Sequence, residues 1–124
     1  MLVLDAAALV ALDRNDRAMW ARLKDCQRSG LPPLTHGGVV GQVWRGGARQ
    51  ARLAKALAGV DTKPMDEKLG RAAGALLGRT GLADVIDAAV ALLAEDGDTI
   101  VTEDTEDLAE LLGATNRRVE LVRP

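Results

Sequence analysis

Asp5 and Asp104 each follow a short apolar run, Leu-Val-Leu-Asp in the first case and Thr-Ile-Val-Thr-Glu-Asp in the second, and Asp84 opens an apolar segment ahead of the second run. If both runs are parallel strands, their carboxyl ends open into one crevice, where open parallel sheets carry out their chemistry. Carboxylates gathered there repel one another, and a hard divalent cation with oxygen ligands relieves the repulsion. Mg²⁺ or Mn²⁺ is the ion implied. Such an ion lowers the pKa of a bound water and neutralises charge on a phosphodiester, which is nuclease chemistry without a histidine base. Singly, each residue has a plainer reading: Asp5 ends a strand, Asp84 caps a helix and Asp104 starts one. The joint placement of the three is what points to a site.

The elements that must position these acids alternate between strand and helix. Leu2 to Leu4 reads as a buried parallel strand, followed by helices over Ala6 to Leu12 and Asp16 to Arg28, with Asp16 as N-cap and Gly30 as the stop. Leu34 and Thr35 form a second short strand. Val39 to Trp44 and Ala48 to Leu57 read as helical, broken at Gly46-Gly47. Val60 to Lys63 is a weak third strand before Pro64, and Asp66 caps a helix to about Arg79. Leu82 to Leu93 places Val85, Ala88, Ala89 and Leu92 at helical spacing, Asp98 to Thr102 is a strand, and Thr105 or Asp104 opens a helix to Leu112 stopped by Gly113. Val119 to Val122 supplies an edge strand. This alternation predicts a three-layer α/β/α domain with a mostly parallel sheet, and the 124 residues suffice for a single domain over 1–124.

Composition narrows the function classes. Sixteen Lys and Arg against eighteen Asp and Glu leave a net charge of −2, so nucleic acid would have to be met by local clusters of positive charge. Trp20 and Trp44 are the only aromatic residues, which removes stacking platforms for single strands. One cysteine, Cys26, and one histidine, His36, cannot build a zinc cage or an internal disulfide, and a reducing cytoplasm is the expected compartment. No apolar run approaches the roughly 18 residues of a membrane span.

Four segments resemble PIN-domain ribonucleases, in particular the VapC toxins of bacterial toxin-antitoxin pairs. They are Val-Leu-Asp-Ala-Ala-Ala-Leu at Val3 to Leu9, Val-Val-Gly-Gln-Val-Trp-Arg-Gly-Gly at Val39 to Gly47, Ala-Asp-Val-Ile-Asp-Ala-Ala-Val-Ala at Ala83 to Ala91, and Ile-Val-Thr-Glu-Asp-Thr-Glu-Asp-Leu at Ile100 to Leu108. Their order and spacing cover essentially the whole chain. The resemblance implies a PIN-like fold and a Mg²⁺- or Mn²⁺-dependent endoribonuclease acting on small RNA such as transfer RNA. It implies that Asp5, Asp84 and Asp104 are acids of the metal site and that Thr102 is the hydroxyl residue accompanying the last acid. It also implies a cognate VapB-type antitoxin, whose arginine would enter the acidic site, and a homodimer.

Gln42 departs from the pattern, standing where most of the family places a glutamate. Its amide oxygen can ligate a cation or hold a water but brings no charge and accepts no proton. Asp87 and Asp107 lie three residues beyond Asp84 and Asp104, on the same helix faces, and either could restore that charge; equally, both could be solvated first-turn acids favoured by the helix dipole. A catalytically weak module that binds RNA and antitoxin is therefore the alternative to an active nuclease. A phosphotransferase or receiver domain fits less well, because no Asp-x-Asp or early acid pair occurs at Asp5.

Arg45, Arg49, Arg52 and Lys55 recur at spacings that align them on one face if the helix resumes after Gly46-Gly47, a row suited either to RNA phosphates or simply to solvent. Arg117, Arg118 and Arg123 form a looser surface group. His36 reads as a packing or surface residue of a loop, with proton transfer the rival reading. Cys26 reads as incidental, and the two tryptophans as core or as interface anchors. The Ala- and Leu-rich early helices leave room for an antitoxin helix in an apolar groove.

Overall fold

In a computed structural model describing residues 1–124, five strands of three residues each form one sheet. β1 (Leu2–Leu4), β2 (Leu34–His36), β3 (Asp61–Lys63), β4 (Thr99–Val101) and β5 (Glu120–Val122) lie in the order β3-β2-β1-β4-β5. Every neighbouring pair is parallel, so the sheet is wholly rather than mostly so. The chain steps outward from β1 to β3, then crosses back to β4 on the other side of β1. The reversal makes the β1–β4 boundary the switch point at which a crevice opens beyond the strand ends.

The helices are α1 (Ala6–Asp13), α2 (Arg17–Arg28), α3 (Gly37–Val43), α4 (Ala51–Leu57), α5 (Glu67–Thr80), α6 (Val85–Leu93) and α7 (Thr105–Thr115), with a 3-10 turn at Ala48–Gln50. α1 packs on α2, α3 and α4, whereas α5, α6 and α7 pack on one another. The right-handed crossovers that parallel strands adopt predict opposite faces of the sheet for connections on either side of the switch point, in keeping with these two separate packing groups. Asp16 and Asp66 cap α2 and α5 through Met19 N at 2.8 Å and Leu69 N at 2.9 Å, as their spacing predicts.

Four local expectations change. His36 belongs to β2 and is fully buried rather than in a loop. α7 runs through Gly113 and ends at Asn116, whose φ of 56° supplies the left-handed turn expected of the glycine. α6 begins at Val85, and Val85 is exposed while Asp87 to Ala91 are all buried. A helix enclosed on most sides needs small residues, and Ala88, Ala89 and Ala91 let α6 sit close to α5, α7 and the sheet. The fourth concerns the basic row, because a 3-10 turn interposes between α3 and α4. Gly46 and Gly47, both at positive φ, make the break, and Gln50 holds it by accepting from Arg45 N and Gly46 N and donating to Val43 O.

Candidate metal centre

The ladder itself delivers the first acid. Leu4 pairs with Val101, and one step further Asp5 N donates to Val101 O at 3.0 Å, so Asp5 leaves β1 beside Thr102. Thr102 N in turn donates to Val122 O at 2.9 Å, which fixes the end of β4 against β5. Asp5 is 6% exposed; Oδ1 accepts from Ala6 N at 2.8 Å and Oδ2 from Thr102 Oγ1 at 2.7 Å. Thr102 Oγ1 also accepts from Asp104 N at 3.0 Å, so one buried hydroxyl sets both acids that follow strand ends. Substituting Thr102 by Val strands an Asp5 oxygen and the Asp104 amide, and we expect a loss of about 1–3 kcal/mol in folding stability. A 10–100-fold fall in cation affinity should accompany it, with Thr102→Ser restoring both in melting and cation titrations.

α6 contributes the remaining charge. Asp84 is exposed and caps the helix, its Oδ1 accepting from Ile86 N at 2.9 Å and Asp87 N at 3.1 Å. Asp87, one turn on, faces inward and is 7% exposed. One carboxylate oxygen each from Asp87, Asp104 and Asp107 lies within 4.8 Å of the other two. Asp87 is therefore not a solvated first-turn acid but the most enclosed member of the group.

Its electrostatics follow from that position. Burial first, then a hydrogen bond shared with Asp104, then the charges of Asp5, Asp84 and Asp104, push the Asp87 carboxyl up to about 8. Near neutral pH it keeps a proton, which it donates toward Asp104. A divalent cation would take over the role of that proton, and an all-oxygen donor set of several carboxylates is the chemistry that hard cations prefer. The residues present thus fit a Mg²⁺- or Mn²⁺-type ion.

His36 locks α6 to the sheet. Its Nδ1 accepts from Gly38 N at 3.0 Å and its Nε2 lies 3.1 Å from Ile86 O, so a neutral ring protonated on Nε2 satisfies both partners. Burial lowers its pKa against the opposing pull of the Ile86 bond and of Asp5, which suits that neutral form. Packing, not proton transfer, is its role. Gly38 has to be glycine here, because a Cβ would meet Ile86 Cδ1 at 2.5 Å and the His36 ring at 2.9 Å.

Gln42 is exposed on α3 and makes no hydrogen bond to any of these acids. Arg45, exposed just past the end of α3, turns back onto that end by donating to Gly41 O and Trp44 O, and Arg49, Arg52 and Lys55 are exposed as well. Cys26 has its thiol pKa raised by burial and by Asp25, the opposite of activation. Trp20 packs against the core with its indole donating to Leu12 O, whereas Trp44 is exposed. No helix is long and apolar enough to cross a membrane.

The sequence matches no family model, and no curated protein matches it. Among solved structures, a chain of VapBC2 from Rickettsia felis, crystallised bound to a DNA fragment from their promoter, superposes with a TM-score of 0.67 at 15% identity over 97% of each chain. At that identity the likeness is one of fold, and the chain accordingly has the PIN-like α/β fold that its four motifs led one to expect.

Proposed function

We propose that the protein is a cytoplasmic, metal-dependent endoribonuclease, the toxin half of a toxin-antitoxin pair. The observation that carries this reading is the cluster of Asp87, Asp104 and Asp107, with Asp5 close enough for its charge to act on Asp87, where burial first and the neighbouring acids after it push the Asp87 carboxyl up to about 8. These four residues would hold Mg²⁺ or Mn²⁺, with Asp84 adding negative charge at the rim. A cation there supplies neutralisation of the phosphodiester and a lower pKa for the attacking water. Asp87 would release its proton to solvent on binding such an ion, and Thr102 holds Asp5 and Asp104 in place. RNA as the substrate, and small RNA in particular, rests on the resemblance of the motifs. So do homodimerisation and a VapB-type antitoxin, whose guanidinium would find suitable acceptors in the acid cluster.

Cleavage of a small-RNA pool by the purified chain tests this reading. Discrete cuts with Mg²⁺ or Mn²⁺, abolished by chelator, are expected; no cutting by folded protein under any metal condition would contradict it.

A second reading, a module that binds RNA and antitoxin but cleaves weakly, draws on the neutral and exposed Gln42. Because Asp87 already brings an acid into the cluster, Gln42→Glu should change the cleavage rate by no more than about threefold, roughly 0.7 kcal/mol of barrier. A gain of ten-fold or more would favour the weak module.

A further inference from the structure

A site that cuts RNA with clustered aspartates repels the RNA it cuts, and the chain as a whole is also negative at −2. Binding energy must come from positive charge gathered elsewhere. We propose that a notch between α2 and α4 grips the sugar-phosphate backbone of RNA away from the scissile bond. This rests on the reading of the substrate as RNA.

The notch is a cavity of about 390 Å³ walled by Asn15, Trp20, Lys24, Gln27, Arg52 and Lys55. Half of these residues are cationic and none is acidic. Lys24, Arg52 and Lys55 make no salt bridge, whereas Lys63, Arg71 and Arg123 each pair with a carboxylate. Uncompensated cations from two helices facing one cavity are what an anion requires, and the amides of Asn15 and Gln27 add neutral donors for phosphate oxygens.

The walls are also set in place. Asn15 closes α1 in the left-handed conformation, φ 61°, and the Trp20 indole is tied to Leu12 O at 3.1 Å. Gly59, just beyond α4, leaves room for Gln27: a Cβ there would meet Gln27 Nε2 at 2.5 Å. Gly59 is not at positive φ, so space rather than backbone conformation is what its missing side chain provides.

α1 separates this notch from the acid cluster. Asp5 caps its first turn and Asn15 follows its last, and the eight-residue helix between them spans about 12 Å. RNA phosphates in the notch are therefore not those at the site of cleavage.

The test is binding of a fluorescently labelled single-stranded oligouridine to the full chain in chelator, so that no cleavage intervenes, across a salt series. Lys24→Gln, Arg52→Gln and Lys55→Gln are combined in one variant. Lys68→Gln, Arg71→Gln and Arg79→Gln on α5 form a control with the same change in net charge. The notch variant should bind at least ten-fold more weakly, with the slope of log affinity against log salt reduced by about 2, from roughly 0.7 per lost phosphate contact. The control should change the slope by less than 0.5. Equal effects of the two variants, or an unchanged slope in the notch variant, would overturn the proposal. Should the combined variant fail to fold, Lys24→Gln alone, at an exposed position, should lower the slope by about 0.7. An oligoglutamate peptide is a further competitor, and notch-dependent binding of that peptide without RNA binding would also overturn it. RNA that binds through the notch but is never cut with metal present would instead count against the nuclease reading alone.

Discussion

Asp87→Asn should make the metal-free protein more stable at pH 8 than the wild type, yet unable to bind a divalent cation tightly. In the unfolded chain this carboxyl titrates near 3.8, and in the folded protein it holds its proton up to about 8. Between those values the folded state binds a proton that the unfolded state has released. Stability of the wild type is therefore fully present below pH 4 and declines as pH rises, until the folded carboxyl also ionises near 8. Asparagine keeps the volume and a hydrogen bond to Asp104 but has no proton to lose, so that slope disappears. The variant should melt on the order of 5 °C above the wild type at pH 8 and close to it at pH 4. Saturating Mn²⁺ should reverse the order, because only the wild type gains from the ligand. A wild-type melting temperature that does not fall between pH 4 and pH 8 would show that Asp87 is not held protonated.

The second large effect is on cleavage. Asp5→Asn replaces a buried carboxylate, anchored by Thr102 Oγ1 at 2.7 Å, with a neutral group of the same shape. If Asp5 holds the cation as proposed, its loss as an anionic ligand should lower kcat/KM for RNA on the order of 10³-fold, about 4 kcal/mol. Folding should be retained, since the amide oxygen can still accept from Ala6 N. Removing the Asp5 charge also removes one of the influences that raise Asp87, so the decline of metal-free stability should end at a lower pH in this variant. Cleavage within ten-fold of the wild type would exclude Asp5 from the reacting site.

Much of this arrangement could be read from residue spacing. Asp5 and Thr102 are adjacent because β1 and β4 are neighbours in register, and the apolar runs ahead of both residues announced those strands. Asp16, Asp66 and Asp84 cap helices at the offsets that capping requires. What spacing does not carry is which way a helix face turns. The i, i+3 relation placed Asp84 and Asp87 together, but whether that face met solvent or the crevice depended on α6 being enclosed by α5, α7 and the sheet. Of the apolar stripe Val85, Ala88, Ala89 and Leu92, the last three meet the core as expected, and Val85, at the first turn of α6, is the one left exposed. His36 was invisible as a β2 residue because two glycines follow it, yet one of them, Gly38, exists to let its ring and Ile86 close in. Gln50, which holds the Gly46-Gly47 break, and Lys24, which joins Arg52 and Lys55, act across elements distant in sequence. A row of arginines along one segment could suggest charge but not the partner helix that completes it.

Calorimetric titration of Mn²⁺ into the wild type at pH 7, in buffers of different ionisation enthalpy, measures both the affinity of the acid cluster and the protons released. Saturable binding with about one proton released per bound ion is expected from a carboxyl of pKa about 8, and both should be lost in Asp87→Asn. RNA cleavage that proceeds without any such binding would contradict the account.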